Sequence, residues 1–325
     1  MPCGAQCVTE YIFILLWLIS VPVYCIFIYI LIKYRTDDDL SSSFFRLSIS
    51  VGVADVSQLF YMYWNIKWPT WGQFREYYLE YGDYVGSWMI VGQWTLLWIQ
   101  QFGVLSLTFN RFTAFVLPFY YQLIWGSKVI MVVVLVQWLV PILGHIRYLL
   151  LDSWTIIPYM NNFSVIPFVE DPEEWKQIVQ YFEILTYSNF IRAIVHSTCY
   201  IVTFVMVYKH NRAEEAAAFN NGSANYSLEV KLAVAGFMIV FIELIFFVYH
   251  VISINVIKEQ ADMLTMAFRA GIINDIQSWC NPWVMLLLCE RVRFYFKKIL
   301  LPARFQHNNA VQNIVVKPVQ NVEQC

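Results

Sequence analysis

Charge is scarce in this sequence. Asp, Glu, Lys and Arg make up only 14% of its 325 residues, well below the roughly 25% of typical soluble proteins. The net charge of −2 excludes a strongly basic nucleic-acid-binding protein, and seven Cys are too few for a small disulfide-held scaffold. What is present instead is apolar, since 59% of the residues are hydrophobic and 18% aromatic. Such a composition predicts an integral membrane protein.

Seven apolar runs are long enough to cross a bilayer, which takes about 20 helical residues. They are residues 11–32, 45–64, 87–110, 129–150, 187–208, 232–254 and 264–289. Residues 290–301 alternate basic and apolar side chains at helical spacing, which is typical of an amphipathic helix on a membrane surface. The sequence therefore predicts an all-α, seven-transmembrane helix bundle over residues 1–305, followed by a disordered cytoplasmic tail at 306–325.

We predict the N-terminus outside the membrane and the C-terminus inside. In this orientation most of the 21 Lys and Arg residues fall in cytoplasmic segments, as the positive-inside bias requires. Asn162 is then a glycosylation acceptor in an outer loop, because Asn162-Phe163-Ser164 has the required pattern. Two further acceptors, Asn221 and Asn225, fall on the inner side, where we expect them to carry no sugar.

Two short motifs lie at the ends of predicted spans. Asn110 and Arg111 close the third span, where Arg111 either reaches lipid phosphates or guards a cavity that admits a cytoplasmic partner. Asn281 and Pro282 lie late in the seventh span. Pro282 removes a backbone hydrogen bond and favours a kink, and the Asn281 amide could satisfy the freed carbonyl.

Polar residues inside predicted spans form two further candidate groups. Asp55 and Asp275 fall near mid-depth, where an isolated charge costs about 2.5–3.5 kcal/mol. If the two carboxylates share a site, they require a shared proton, a bound cation or the Asn274 amide. The alternatives are a satisfied packing cluster and a cation-binding or switching core.

Arg192 of the fifth span and Glu243 of the sixth both fall about 10 Å below the predicted outer surface. A salt bridge between them would either join two helices or line a ligand cavity, which Arg269 would enter from the seventh span. The candidates for the apolar walls of that cavity are Trp94, Trp98, Tyr187 and Tyr249.

The chain resembles the rhodopsin-like seven-helix G-protein-coupled receptors. More closely, it resembles the nematode serpentine chemoreceptors of class gamma (srg) and the related srv class. The residues that carry the resemblance are the segments 107–114 and 281–287, with Pro118, Trp125 and Arg293. The resemblance implies a chemoreceptor that binds a small molecule or pheromone. It also implies a location in the plasma membrane, specifically in the ciliary membrane of sensory neurons. It further implies coupling to a heterotrimeric G protein at Asn110, Arg111, Asn281 and Pro282. No cofactor is expected, and the resemblance does not decide whether the chain forms a dimer.

The chain also departs from the wider receptor pattern. Asn110 stands where most of these receptors have an acid, so the neighbouring residue cannot restrain Arg111 by an ion pair. Met285 stands where they have a Tyr, and the fifth and sixth spans contain no Pro. These differences put the activation mechanism of the wider group in doubt for this chain.

Other membrane functions fit less well. A zinc-dependent membrane enzyme would gather His residues, yet the five His are far apart in the sequence. A retinal photoreceptor needs a Lys in the last span, and residues 264–289 contain none. A ligand-gated odorant channel of inverted topology is the alternative that stays open, although it would contradict the distribution of Lys and Arg.

Overall fold

The computed structural model describes residues 5–37, 40–151, 154–159, 164–217 and 260–301. Between 234 and 252 it describes residues 234, 236–238, 240–242, 244–245, 247–249 and 251–252, which are helical and are called the 234–252 segment. The helices are α1 Ala5–Lys33, α2 Ser43–Met62, α3 Trp68–Thr70, α4 Arg75–Glu80, α5 Gly82–Val116, α6 Tyr121–Ile124, α7 Ser127–Leu149, α8 Pro172–Ala217, α9 Gln260–Leu288 and α10 Glu290–Leu300.

Three of the described helices are long and apolar enough to cross a membrane. They are Tyr11–Lys33, Ser127–Leu149 and Pro172–Lys209. α7 shows how such a helix meets its surroundings, because its fully buried residues form one narrow stripe: Ile130, Gln137, Pro141, His145 and Tyr148. Most of its other apolar side chains are exposed, as expected for a helix whose remaining surface faces lipid.

α5 is the central helix of the bundle and packs against α2, α7 and α8. The contact with α7 is partly polar. Gln137 of α7 donates a hydrogen bond from Nε2 to the carbonyl of Ile99 at 3.2 Å, and its Oε1 accepts one from Ser50 of α2 at 2.9 Å. A glutamine in the middle of an apolar helix is thus satisfied by two neighbouring helices.

A β-hairpin that the sequence analysis treated as loop covers the start of α5. Strands β1 (Trp154–Tyr159) and β2 (Ser164–Val169) pair antiparallel. Gly82 and Gly86 let the hairpin approach α5 closely: a Cβ on Gly82 would lie 3.1 Å from Ile156 Cβ. We call this end of the bundle the hairpin end and the opposite end of α5 the Arg111 end. The acceptor Asn162 lies outside the described residues.

α8 begins well before the predicted fifth span at residues 187–208. It starts at Pro172, a residue that favours the first helical turn, and the Asp171 carboxylate accepts the backbone N–H of Glu173 at 2.8 Å. Charged residues in its first turns lower the local hydropathy without disfavouring a helix. A search for apolar runs therefore places the start of this helix too late.

α10 is anchored on α1 at the Arg111 end. The ring of Tyr295 stacks on that of Tyr34 at 3.7 Å, and its hydroxyl donates a hydrogen bond to the Asp37 carboxylate. This bond is the main cause that raises the pKa of Tyr295 to about 12. Arg293 donates to the carbonyls of Leu286 and Leu287, which caps the end of α9.

Candidate functional site

An aromatic cluster lies directly beneath the hairpin. Trp94 of α5 stacks on Tyr181 of α8 with ring centroids 4.5 Å apart and meets Tyr148 of α7 edge to face. The hydroxyl of Tyr181 also accepts a hydrogen bond from Trp98 Nε1 at 2.9 Å, and it lies 2.8 Å from His145 Nε2. Trp94 is only 6% exposed. The main role of Trp94 is therefore to pack α5 against α7 and α8.

A cavity of about 320 Å³, the α5–α8 cavity, opens between these two helices below the aromatic cluster. α5 contributes Trp98, Gln101, Phe102, Leu105 and Phe109. α8 contributes Ser188, Ile191, Arg192 and Val195. Its volume lies at the lower end of the range of about 300–1,000 Å³ that is usual for small-molecule sites. The lining is apolar apart from three polar side chains.

α8 runs beside α5 in the same direction, and their contacts fix which residues are level. Trp94 meets Tyr181 at the hairpin end, whereas Leu105 and Arg192 meet at the α5–α8 cavity. From Tyr181 to Arg192 the helix rises about 16 Å at 1.5 Å per residue. Arg192 therefore lies about 16 Å beyond the level of Tyr181, away from the hairpin end.

The structure brings only part of the predicted ligand group together. Trp98 and Arg192 line the same cavity, while Tyr187 points away and is 71% exposed. Tyr249 is half-buried in the 234–252 segment. Two predicted members lie beyond what is described: Glu243, and the side chain of Arg269. The predicted salt bridge between Arg192 and Glu243 therefore stays a prediction.

Asp55 is the centre of a buried polar cluster that joins four helices. Its carboxylate accepts hydrogen bonds from the Tyr24 hydroxyl of α1 and from Gln100 Nε2 of α5, the latter at 2.7 Å. Gln100 Nε2 also lies 2.9 Å from Ser278 Oγ of α9. Asn281 of α9 donates from Nδ2 to the Tyr24 hydroxyl at 3.2 Å. These bonds lower the cost of placing a carboxylate at this depth.

The contact of Asn281 with Tyr24 corrects one expectation from the sequence. The Asn281 amide nitrogen does not satisfy a carbonyl freed by Pro282, because it donates to Tyr24 of the neighbouring helix instead. Pro282 lies inside α9, which continues to Leu288. The pair therefore acts between helices, and Asn281 fastens α9 to α1.

Asp275 has a different partner from Asp55. Its carboxylate forms an ion pair with Lys67, and the two side chains are 0% and 3% exposed. Lys67 closes a π-helical turn, Tyr63–Lys67, that extends α2, and its ammonium lies 4.1 Å from the ring centroid of Tyr63. Among the described contacts, Asp275 pairs with Lys67, whereas Asp55 accepts hydrogen bonds from Tyr24 and Gln100. The amide of Asn274, which is 3% exposed, makes no hydrogen bond to any described residue.

At the opposite end of α5, Arg111 is fully buried at 1% exposure. Its Nη2 donates to Asn110 Oδ1 at 2.8 Å and to the Tyr121 hydroxyl at 3.3 Å, and its guanidinium lies 4.5 Å from the ring of Phe44. Asn110 donates to Ser43 Oγ at 2.8 Å, which lies 2.6 Å from the Tyr121 hydroxyl. The neutral amide of Asn110 therefore contacts Arg111 at the position where the wider pattern has an acid. We call these five residues the Arg111 cluster.

Several residues of these clusters escaped the sequence analysis. Gln100 and Gln101 are adjacent amides in the middle of an apolar run, and this isolated polarity was the available signal. Lys67 lies just beyond the second predicted span, which ends at residue 64, and no apolar run marks it as buried. Tyr121 begins the short helix α6 after Pro118, and no periodic pattern in the sequence marks it.

Comparison with known proteins matches the chain over nearly its whole length. The family profile described as "Serpentine type 7TM GPCR chemoreceptor Srv" matches residues 13–301. The protein named "Serpentine receptor class V-1" of Caenorhabditis elegans is 24% identical over 315 residues, which cover 94% of this chain and 96% of that protein. Both matches carry the class V name rather than the class gamma name.

Proposed function

Because the chain belongs to the Srv family of serpentine seven-transmembrane chemoreceptors, we propose that it is a chemosensory receptor that activates a heterotrimeric G protein. The family is one of membrane chemoreceptors rather than enzymes, and the class gamma assignment is not supported. The long apolar helices agree with an integral membrane protein. Its proposed location is the plasma membrane, specifically the ciliary membrane of sensory neurons.

The proposed ligand site is the α5–α8 cavity. It combines an apolar wall with few polar groups, the arrangement that is usual in sites for small molecules. The aromatic cluster around Trp94 and Tyr181 would couple this site to the hairpin end, because Trp98 lines the cavity and also donates a hydrogen bond to Tyr181. A ligand would favour the conformation in which its contacts are better, which shifts the population of the bundle.

The proposed coupling site is the Arg111 cluster, and it is the single observation that best supports coupling to a G protein. The Arg111 side chain is fully buried, and its Nη2 is held by hydrogen bonds to Asn110 and Tyr121 that can break when this end of the bundle opens. Opening of this end would expose the guanidinium to the inserted segment of a partner. Asn281 and Pro282 of α9 would take part through the Asp55 cluster.

The test is nucleotide exchange with the full-length receptor in nanodiscs. Receptor, heterotrimeric G protein and labelled GTP analogue are mixed without ligand, and exchange is compared with empty nanodiscs. We expect the wild-type chain to accelerate exchange and Arg111→Ala to abolish the acceleration. Arg75→Ala, which changes an arginine in α4 near the hairpin end, is the matched control and should keep the wild-type rate. Equal rates for both variants would contradict the proposal.

A further inference from the structure

We infer that the α5–α8 cavity binds a lipophilic molecule that ends in a carboxylate and enters sideways from the bilayer. This inference rests on the proposed function, because it names the ligand class of the proposed site. The cavity holds about 320 Å³ of space. Trp98, Phe102 and Leu105 give it a hydrocarbon wall, and burial of a matching aliphatic chain stabilises the complex by about 25 cal/mol per Å² of apolar surface.

Gln101 favours an occupant that carries a hydrogen-bond acceptor. This residue lines the cavity and is only 3% exposed. Its Nε2 donates no hydrogen bond to any described residue. A buried N–H group without a partner costs about 1–3 kcal/mol, and an acceptor oxygen placed in the cavity would remove that cost.

Arg192 favours an acceptor that carries a negative charge. Among the described residues that line the cavity, Arg192 is cationic and none is acidic. Its Nη2 donates to Asn189 Oδ1 at 3.1 Å, which fixes the guanidinium beside the cavity. A guanidinium presents several N–H groups in one plane, and a carboxylate is the small group that matches this geometry best. Charge and hydrogen-bonding capacity therefore both favour a carboxylate.

The rim of the cavity indicates the route of entry. Ile191 is 62% exposed and Phe109 is 39% exposed, and both lie on the cavity wall. Exposed apolar side chains at this level of a membrane-spanning bundle face lipid rather than water. A molecule dissolved in the bilayer would therefore meet the opening directly, with its chain along the α5–α8 groove.

The test uses the full-length chain in nanodiscs and a photoactivatable analogue of lauric acid with a diazirine on its chain. After irradiation, labelled peptides are identified by mass spectrometry, with unlabelled lauric acid and methyl laurate as competitors. We expect label on α5 and α8 near Leu105 and Ile191. The acid should compete about tenfold more strongly than the ester, as expected for a charge-assisted hydrogen bond.

Two substitutions and a matched control locate the binding. Leu105→Trp fills the cavity and should abolish the specific label, whereas Leu139→Trp makes the same change at an exposed position of α7 and should leave it intact. Gln101→Leu removes the amide at nearly constant volume and should weaken competition by the acid several-fold. Label spread evenly over α7 and α5–α8, or unchanged label in Leu105→Trp, would overturn the inference.

The acid–ester comparison uses the wild-type chain, so it tests the inference even if a substituted chain does not fold. Equal competition by acid and ester would overturn the carboxylate assignment. Labelling is measured without signalling. Specific label on a chain that fails to accelerate nucleotide exchange would support this inference and overturn the proposed function. Accelerated exchange without specific label would support the proposed function and overturn this inference.

Discussion

At the scale of single residues, the hydroxyl of Tyr121 holds three members of the Arg111 cluster at once. It lies 2.6 Å from Ser43 Oγ, donates to Asn110 Oδ1 at 3.2 Å and accepts from Arg111 Nη2 at 3.3 Å. One phenolic oxygen therefore links α2, α5 and α6. The sequence could not predict this, because the three positions have no common period.

We expect Tyr121→Phe to raise ligand-independent nucleotide exchange several-fold. The substitution removes one oxygen and keeps the ring, so Arg111 loses a neutral restraint of about 1 kcal/mol and is released more often. Tyr120→Phe is the matched control, since Tyr120 is 60% exposed and lies outside the cluster. Equal exchange by the two variants would show that Tyr121 does not restrain Arg111.

The ion pair of Lys67 and Asp275 gives a second prediction at this scale. Lys67→Met leaves a carboxylate buried without its cation, which costs about 3–5 kcal/mol. The double variant Lys67→Met/Asp275→Leu should recover most of that loss, because no charge is then left unpaired. The measurement is thermal unfolding of the detergent-solubilised chain.

The exposed pair of Lys176 and Glu173 is the control for this experiment. Their charged atoms are 4.0 Å apart, and both side chains are more than half exposed. Lys176→Met should therefore change the free energy of unfolding by about 0–1 kcal/mol. If Lys67→Met is as mild as Lys176→Met, the pair with Asp275 does not stabilise the bundle.

At the scale of elements, the sequence predicted helices better where apolar runs mark both ends. α7 at Ser127–Leu149 follows the predicted span at 129–150 closely. α8 does not follow its predicted span, because its first turns carry Glu173, Glu174 and Lys176 and are helical all the same. The π-helical turn Tyr63–Lys67 has no distinct composition, so its burial of Lys67 could not be predicted.

Tyr295 tests how α10 is attached to the bundle. Tyr295→Phe removes the hydrogen bond to Asp37 and keeps the stack on Tyr34, so α10 should detach more often. Faster cleavage by trypsin after Lys297 and Lys298 would report this detachment. Phe294→Leu is the control, because Phe294 is 48% exposed. Equal cleavage of the two variants would show that the bond to Asp37 does not hold α10.

At the scale of the whole molecule, composition and hydropathy were sufficient to predict a helical membrane protein, and the resemblance carried by segments 107–114 and 281–287 indicated the serpentine chemoreceptors. They could not predict which polar residues meet. Asp55 pairs with Tyr24 and Gln100, whereas Asp275 pairs with Lys67. Partner choice inside a bundle depends on helix rotation and register. A one-residue shift turns a side chain by about 100° at 3.6 residues per turn.

The account depends most on orientation, because the Arg111 end must face the cytoplasm for a G protein to reach it. The direct measurement is glycosidase-sensitive mobility of the expressed chain beside Asn162→Gln and a double Asn221→Gln/Asn225→Gln variant. We expect sugar on Asn162 alone, so that only Asn162→Gln removes the shift. Sugar on Asn221 or Asn225 would contradict the receptor account and favour an odorant-gated channel of inverted topology.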